Sequence, residues 1–195
     1  MTGQHTDADI SRRVRRLETL LEDRGLIADT ALDEALDAFL SGASPVNGAK
    51  IVARAWTDPD FRARLLADGT SAVAELGFSA GGVQPQRLRV VENTPDTHNV
   101  VVCTLCSCYP VRLLGPSPGW YKSEAYRSRA VREPRAVLEE FGVRLPDTTR
   151  ITVWDSTSET RYLVLPMRPA GTEHLDEAAL AGLVRRDALI GTAVL

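Results

Sequence analysis

Cysteine is scarce in this sequence of 195 residues, and the three cysteines that occur stand together at positions 103, 106 and 108. An odd number of cysteines within six residues cannot form a framework of disulfides, so we expect a local use for them. Long apolar runs are also missing, since no stretch approaches the roughly 18 to 20 residues that a membrane span needs. The first residues, MTGQHTDADISRR, lack the apolar centre of a signal peptide. We therefore expect a cytoplasmic protein with no membrane partner.

An excess of charge of one sign is absent as well. The 26 acidic and 23 basic residues give a formal net charge of -3 at pH 7, and no long basic run stands out. Such a run would be needed to follow the phosphates of a nucleic acid, so we expect no nucleic-acid polymer as a partner. A content of 44% hydrophobic and 25% charged residues is typical of a globular protein.

The first part of the chain is predicted to be helical. One amphipathic helix is indicated by apolar residues at helical spacing, which are Ile10, Val14, Leu17, Leu20 and Leu21. Gly25 is placed to end it, and a second helix is predicted over about 29–40, with Asp29 or Thr30 as its cap. We expect residues 1–44 to form an N-terminal helical arm. Its thin apolar stripe suits packing on its own domain or embracing a partner subunit.

The remainder, residues 45–195, predicts a mixture of helices and strands. Helices are indicated from Ser44-Pro45 to Trp56, from Asp58-Pro59 towards Gly69, up to Gly77, over 119–132, over 134–141 and after Asp176. Strands are indicated at 88–91 and 100–102, with 151–154 and 162–165 as a further strand pair. We predict an α+β fold in which the N-terminal helical arm is followed by a layered α/β domain. A claw loop of cysteines, residues 103–108, lies at the end of a strand.

The claw loop has the spacing of a chelate. In C-x-x-C-x-C three sulfurs can face one ion, and the backbone nitrogens of Ser107 and Cys108 lie between the last two sulfurs in sequence. If those amides lose their protons, two sulfurs and two nitrogens can form a square, with the sulfur of Cys103 on its axis and the sixth position open. Deprotonated amides bind strongly Lewis-acidic ions, which favours iron(III) or cobalt(III) over zinc.

Other uses of the cysteines remain open from these residues alone. A zinc site of three cysteines could recruit His98 and stabilise a non-catalytic module, and clustered thiols could cycle through a disulfide as a redox sensor. A four-thiolate iron–sulfur cluster is disfavoured because the sequence has no fourth cysteine.

The run VCTLCSC from Val102 resembles the metal-binding signature of nitrile hydratase α subunits, which the γ subunit of thiocyanate hydrolase shares. The resemblance extends over residues 45–195. The segments that carry it are VENTP from Val91, HNV from His98, WYK from Trp120, AYRSR from Ala125, REPR from Arg132, VWD from Val153, ETRY from Glu159 and RPAGT from Arg168.

The resemblance implies a non-corrin cobalt or non-haem iron centre. Cys103 would be the axial thiolate, and Cys106 and Cys108 the equatorial sulfurs, with the backbone of Ser107 contributing to the ligand set. Thr104 favours cobalt(III), so iron(III) is less expected. The resemblance also implies that Cys106 is oxidised to sulfinic acid and Cys108 to sulfenic acid.

The implied reaction is the addition of water to a nitrile, giving an amide. The metal would polarise the nitrile, and the sulfenate oxygen of Cys108, or a water that it activates, would attack the carbon. By resemblance Gln84 lies near the active site. Asp155 and Arg161 would form a buried pair that steadies the claw loop from behind the metal ligands, together with Thr104.

One segment departs from the family. After Cys108-Tyr109-Pro110 the family usually continues Trp-Pro-Val-Leu-Gly, whereas this sequence has Val111-Arg112 and then Leu-Leu-Gly. Loss of a large aromatic predicts a wider and more polar pocket, suited to a bulky nucleoside nitrile such as toyocamycin. Arg112 would also suit the anion of a thiocyanate hydrolase γ-type subunit, which is the second hypothesis. The implied partners are a β subunit, or two shorter chains in its place, and a metal-insertion activator.

Overall fold

The computed structural model describes residues 7–79, 86–106 and 108–195, and for residues 29, 31, 32, 38 and 39 the backbone alone. The predictions made for Gln84 and Ser107 therefore lie outside the described residues. The chain divides into two units between Gly42 and Ala43.

The N-terminal unit contains two helices, as predicted. They are α1 (Asp7–Glu22) and α2 (Asp29–Ser41). Gly25 stands between them with a φ of 63°, a left-handed conformation that glycine adopts without strain. The predicted caps of α2 are wrong, because Asp29 and Thr30 already belong to the helix and Ala28 precedes it without a side-chain bond. No residue of α1 is buried in the described chain.

The second unit begins with three helices, and the sequence predicts where the first two start. They are α3 (Pro45–Thr57), α4 (Pro59–Ala67) and α5 (Gly69–Glu75). Ser44, Asp58 and Asp68 cap them by accepting hydrogen bonds from backbone N–H groups of the first turn. Proline follows Ser44 and Asp58, at a position where a helix needs no N–H donor. Local sequence therefore determines where these helices begin.

The strands form two parallel pairs. They are β1 (Arg87–Glu92), β2 (Thr97–Val102), β3 (Arg150–Asp155) and β4 (Thr160–Leu165). β1 pairs with β4 and β2 pairs with β3, so the prediction that β3 and β4 pair with each other is wrong. Leu163, Val164 and Leu165 of β4 are buried together with Leu88, Val90 and Val91 of β1. β1 and β4 thus pack into the same hydrophobic core, although about seventy residues separate them in sequence.

Short helices connect and follow the strands. They are α6 (Val111–Leu114), a 3₁₀ helix (Gly119–Lys122), α7 (Glu124–Ala130), α8 (Pro134–Glu140), α9 (Glu177–Leu183) and α10 (Arg186–Ile190). The helix predicted over 119–132 is divided at Ser123, whose hydroxyl caps α7 by accepting from the Tyr126 N–H at 3.2 Å. α6 and α10 were not predicted, because four or five residues are too few to show a helical period.

The main core holds the carboxyl end of β2 in place. Val101, Val102 and Cys103 are almost fully buried within a cluster that also contains Ile51, Phe61, Leu65 and Tyr121. The mixed architecture of helices and strands agrees with the predicted α+β class. In the described parts of the chain, no helix is both long and apolar enough to cross a membrane.

Candidate metal centre

The three cysteines converge where β2 leaves the core. Their sulfur atoms all lie within 4.8 Å of one another. Cys103 is fully buried, Cys108 is half-buried and Cys106 is exposed. The claw loop therefore rises from a fixed base towards the surface, and a ligand can approach its outer side.

The spacing of the sulfurs fits an octahedral ion. The Sγ of Cys106 lies 3.2 Å from that of Cys103 and 3.1 Å from that of Cys108. With a metal–sulfur bond of about 2.3 Å, neighbouring corners lie about 3.3 Å apart on an octahedron and about 3.8 Å apart on a tetrahedron. The observed distances match the octahedral arrangement, so the donor set fits a six-coordinate ion better than tetrahedral zinc.

His98 is engaged elsewhere. It is 3% exposed, and its Nε2 lies 2.7 Å from the carbonyl oxygen of Gly191. A carbonyl only accepts, so Nε2 carries the proton and Nδ1 accepts from the amide of Asn93 at 3.3 Å. With both nitrogens occupied, His98 is not a fourth ligand, and the zinc site proposed for it is wrong. His98 instead joins β2 to the backbone of Gly191.

The base of the claw loop is held by Asp155. The register of β2 and β3 places Asp155 opposite Val102. One carboxylate oxygen accepts from the Thr104 N–H at 2.9 Å, and the other accepts from the Thr104 hydroxyl. The Cys106 N–H points to the sulfur of Cys103 at 3.4 Å. These contacts fix the first half of the loop before any metal binds.

Arg161 and Asp155 do not form the buried pair that the sequence predicted. Asp155 is exposed, and no ion pair joins the two within the described residues. Arg161 lies opposite Leu88 in the other sheet, where its guanidinium donates to the carbonyl of Thr157 and its buried Nε has no partner. The two residues belong to different sheets, and strand pairing at long range decides this separation.

Three side chains that the sequence analysis left without a role support the loop. Tyr126 donates to the carbonyl of Val101 at 2.7 Å, at the end of β2. Tyr121 donates to the carbonyl of Cys108 at 3.0 Å, and Arg127 donates through Nη1 to the carbonyl of Cys106 at 2.8 Å. All three come from segments WYK and AYRSR, which carried the resemblance. Their position in those segments is the feature of the sequence that could have identified them as candidate site residues.

Comparison with known proteins agrees with this geometry. The family model described as nitrile hydratase, alpha chain, matches residues 8–193. The chain belongs to this family. It is 52% identical over 193 residues to the α subunit of a low-molecular-weight, cobalt-containing nitrile hydratase of Rhodococcus rhodochrous, covering 99% of this chain and 92% of that one.

The chain is also similar to a solved nitrile hydratase structure and to a subunit of a second enzyme, thiocyanate hydrolase. A double mutant of the Fe-type nitrile hydratase of Comamonas testosteroni Ni1 has a TM-score of 0.89 and 46% identity, over 98% of this chain and 92% of that one. The γ subunit of thiocyanate hydrolase of Thiobacillus thioparus is 46% identical over 159 residues, which is 77% of this chain and 65% of that subunit. It is the weaker match of the two enzyme types.

Electrostatics within this nitrile hydratase α chain keep the thiol of Cys108 protonated in the absence of a metal ion. Burial raises the pKa of Cys108 to about 12, the hydrogen bond with Cys106 acts in the same direction, and the charge of Arg161 opposes them. Burial also raises the pKa of Tyr121 and Tyr126 far above the ordinary value, so both remain neutral donors to the loop. A metal ion must therefore displace protons when it binds to the sulfurs.

The two predicted pocket residues follow the claw loop closely. Val111 and Arg112 open α6, three and four residues after Cys108, and both are half-buried. Val111 packs against the main core, and the carbonyl of Arg112 accepts from the side-chain amide of Asn47 at 2.8 Å. Their backbone is thus fixed close to the cysteines along the chain.

Proposed function

We propose that this chain is the α subunit of a cobalt nitrile hydratase, which adds water to a nitrile to give the amide. The observation that carries the proposal is the set of three cysteine sulfurs within 4.8 Å of one another in one loop, with Cys106 at octahedral spacing from both of the others. Family membership over almost the whole chain supports the reaction type.

The residues that would hold the ion are Cys103, Cys106 and Cys108 through sulfur, with the backbone nitrogens of Ser107 and Cys108. Cobalt(III) is favoured by Thr104 and by the cobalt content of the related Rhodococcus enzyme. The Fe-type structural relative leaves iron(III) as the less favoured choice. When bound, the trivalent ion supplies a Lewis acid that polarises the nitrile.

Cys108 is the proposed catalytic residue. Dioxygen or a peroxide would supply the oxidant: loss of two electrons would convert the Cys108 thiol to sulfenic acid, and loss of four would convert the Cys106 thiol to sulfinic acid. The sulfenic oxygen of Cys108 would then attack the nitrile carbon or activate the water that does so. The nitrile nitrogen takes up two protons and the carbon gains one oxygen, so the balance is one nitrile and one water for one amide. Arg161 places positive charge near Cys108, where it favours an oxidised, anionic sulfur.

The choice of substrate is assigned to residues beside the loop. We place Val111 and Arg112 in the substrate pocket, and we assign a second catalytic role to Gln84. A small Val111 and a polar Arg112 where the family carries a large aromatic would admit a bulky, hydrogen-bonding nitrile such as the nucleoside toyocamycin.

The open side of the claw loop is where a partner subunit would complete the site. The side chain of Leu105 is 90% exposed between the first two cysteines, and Cys106 is exposed beside it. A partner that covered the loop would remove this apolar side chain from water, which favours association. We assign this surface to a β subunit, or to two shorter chains in its place. A metal-insertion activator would load the ion, and a cytoplasmic location would keep the thiols reduced before loading.

The test is co-expression of the chain with its partner subunits in cells supplied with cobalt. We expect about one cobalt per α chain, a sulfur-to-metal absorption band and conversion of nitriles to amides. Cys108→Ser in the same complex should abolish turnover, and Val131→Ala, which alters an exposed valine directly after α7, should leave it intact.

Other results would direct the interpretation elsewhere. A colourless zinc protein without turnover would contradict the enzyme and favour a metal-stabilised module. Consumption of thiocyanate in preference to nitriles would favour the thiocyanate hydrolase hypothesis, and reversible loss of two hydrogens from the thiols would favour a redox sensor.

A further inference from the structure

Arg127 reaches the claw loop from α7. Its Nη1 donates to the carbonyl oxygen of Cys106 at 2.8 Å, across 21 positions of sequence. Among the described residues no carboxylate forms an ion pair with Arg127, and its buried Nε has no hydrogen-bond partner. The positive charge is therefore directed at a backbone carbonyl and is not neutralised by an acid.

The contacted carbonyl belongs to a particular peptide bond. Because the chain continues from Cys106 to Ser107, the nitrogen of this peptide is the backbone nitrogen of Ser107. In a peptide, electron density at nitrogen is shared with the carbonyl oxygen through the partial double bond. A nitrogen that binds a metal without its proton carries negative charge, and part of that charge appears on the oxygen that Arg127 contacts.

Two other amides of the loop are engaged as donors. The Thr104 N–H donates to Asp155 and the Cys106 N–H points to the sulfur of Cys103. A nitrogen that donates its proton in this way is not available as a deprotonated ligand. The carbonyl that Arg127 contacts belongs to neither of these two peptides; it belongs to the next one, whose nitrogen is a proposed ligand.

We propose that Arg127 is a positioning residue for the metal centre: it orients the Cys106–Ser107 peptide and offsets the charge of the Ser107 nitrogen when that nitrogen binds the ion. This role rests on the proposed coordination of cobalt through backbone nitrogens. A charge-assisted hydrogen bond is about twice as strong as a neutral one, so a cation is better suited to the role than a neutral donor.

Arg129 provides a matched control on the same helix. Its guanidinium pairs with Glu133 and Glu140 at the surface and makes no hydrogen bond to the loop among the described residues. Removal of Arg129 changes the helix surface and its charge as removal of Arg127 does, but it leaves the Cys106–Ser107 peptide untouched.

The experiment uses the complete enzyme, co-expressed without cobalt and then titrated with cobalt(II) in air. Bound cobalt, the position of the sulfur-to-metal band and the melting temperature before loading are measured for wild type, Arg127→Met, Arg127→Lys and Arg129→Met. We expect Arg127→Met to raise the half-saturating cobalt concentration about 10- to 100-fold and to shift the band. Arg127→Lys should recover much of this loss, and Arg129→Met should stay close to wild type.

The outcomes separate the two proposals. Wild-type cobalt binding and an unshifted band in Arg127→Met would overturn the role of Arg127 and leave the proposed function standing. Equal losses in Arg127→Met and Arg127→Lys, matched by lower melting before loading, would also overturn it, because the arginine would then act only in folding. Failure of the wild-type complex to bind cobalt would instead contradict the proposed function on which this role rests.

Discussion

At the scale of single residues, the three cysteines of the claw loop differ in how deeply their side chains are buried. Cys103 is fixed in the core at the end of β2, whereas Cys106 is exposed on the rising part of the loop. Asp155, Tyr121 and Arg127 hold backbone groups of Thr104, Cys108 and Cys106, and each of these bonds reduces the freedom of the loop. A preformed loop lowers the entropy that metal binding must overcome, since fewer groups remain to be ordered.

His98 gives a prediction about pH. Burial lowers its pKa below the 6.5 of an unfolded histidine, although the bond to Gly191 acts in the opposite direction. As the pH falls through about 6.5 the unfolded state therefore takes up a proton before the folded state does. We expect the free energy of unfolding of the metal-free chain to decrease from about pH 6.5 downwards.

The control for this prediction is His98→Gln, which keeps a donor for Gly191 but does not titrate. Urea unfolding of both proteins between pH 5 and pH 7.5 measures the difference in slope. The variant should be less stable at neutral pH and should lose less stability on acidification. Parallel curves for the two proteins would contradict the prediction.

At the scale of elements, strand pairing brings together residues that the sequence keeps apart. The β2–β3 register aligns Val102 with Asp155 and so places a carboxylate under the claw loop. The β1–β4 pair places Arg161 in a different sheet. Gly191, the residue directly after α10, lies against the backbone of Asn99 in β2.

Gly191 gives a prediction for this contact. It has a φ of 89°, and an added Cβ would lie 1.9 Å from the carbonyl oxygen of Asn99. Since backbone must move to relieve such a clash, we expect Gly191→Ala to destabilise the chain by about 3 to 5 kcal/mol. Thermal unfolding should show a fall in melting temperature of about 10 °C or more.

Gly171 supplies the matched control, because it has a similar φ of 79° but nothing within 4 Å of an added Cβ. Gly171→Ala should cost only the conformational strain, about 1 to 2 kcal/mol. Equal losses for the two variants would mean that the close approach to Asn99 contributes nothing beyond backbone conformation.

At the scale of the whole molecule, the chain has features of a subunit. α1 has no buried residue in the described chain, and its stripe of Ile10, Val14, Leu17 and Leu20 is exposed. Leu105 projects from the claw loop in the other unit. An apolar side chain beside the reactive cysteines gains stability only when another surface covers it.

Leu105 therefore gives a prediction about assembly. Leu105→Glu should weaken association of the metal-free chain with its partner subunit about tenfold or more, because a charge would be buried at the interface. Titration calorimetry with the separately purified partner measures the dissociation constant. Val131→Glu, which alters a 46% exposed valine outside the loop, is the control and should change it little. Equal dissociation constants for wild type and Leu105→Glu would place the interface elsewhere.

The sequence by itself determined the starts of α3 and α4, the strand segments, the clustering of the three cysteines and the family. Caps such as Ser44 and Asp58 act within a few residues, and C-x-x-C-x-C brings its sulfurs together through short chain segments. The tertiary structure alone decided the strand pairs, the separation of Asp155 from Arg161, and the support of the claw loop by Tyr121, Tyr126 and Arg127. These contacts join residues many positions apart, and their energies depend on burial and register, which local patterns do not contain.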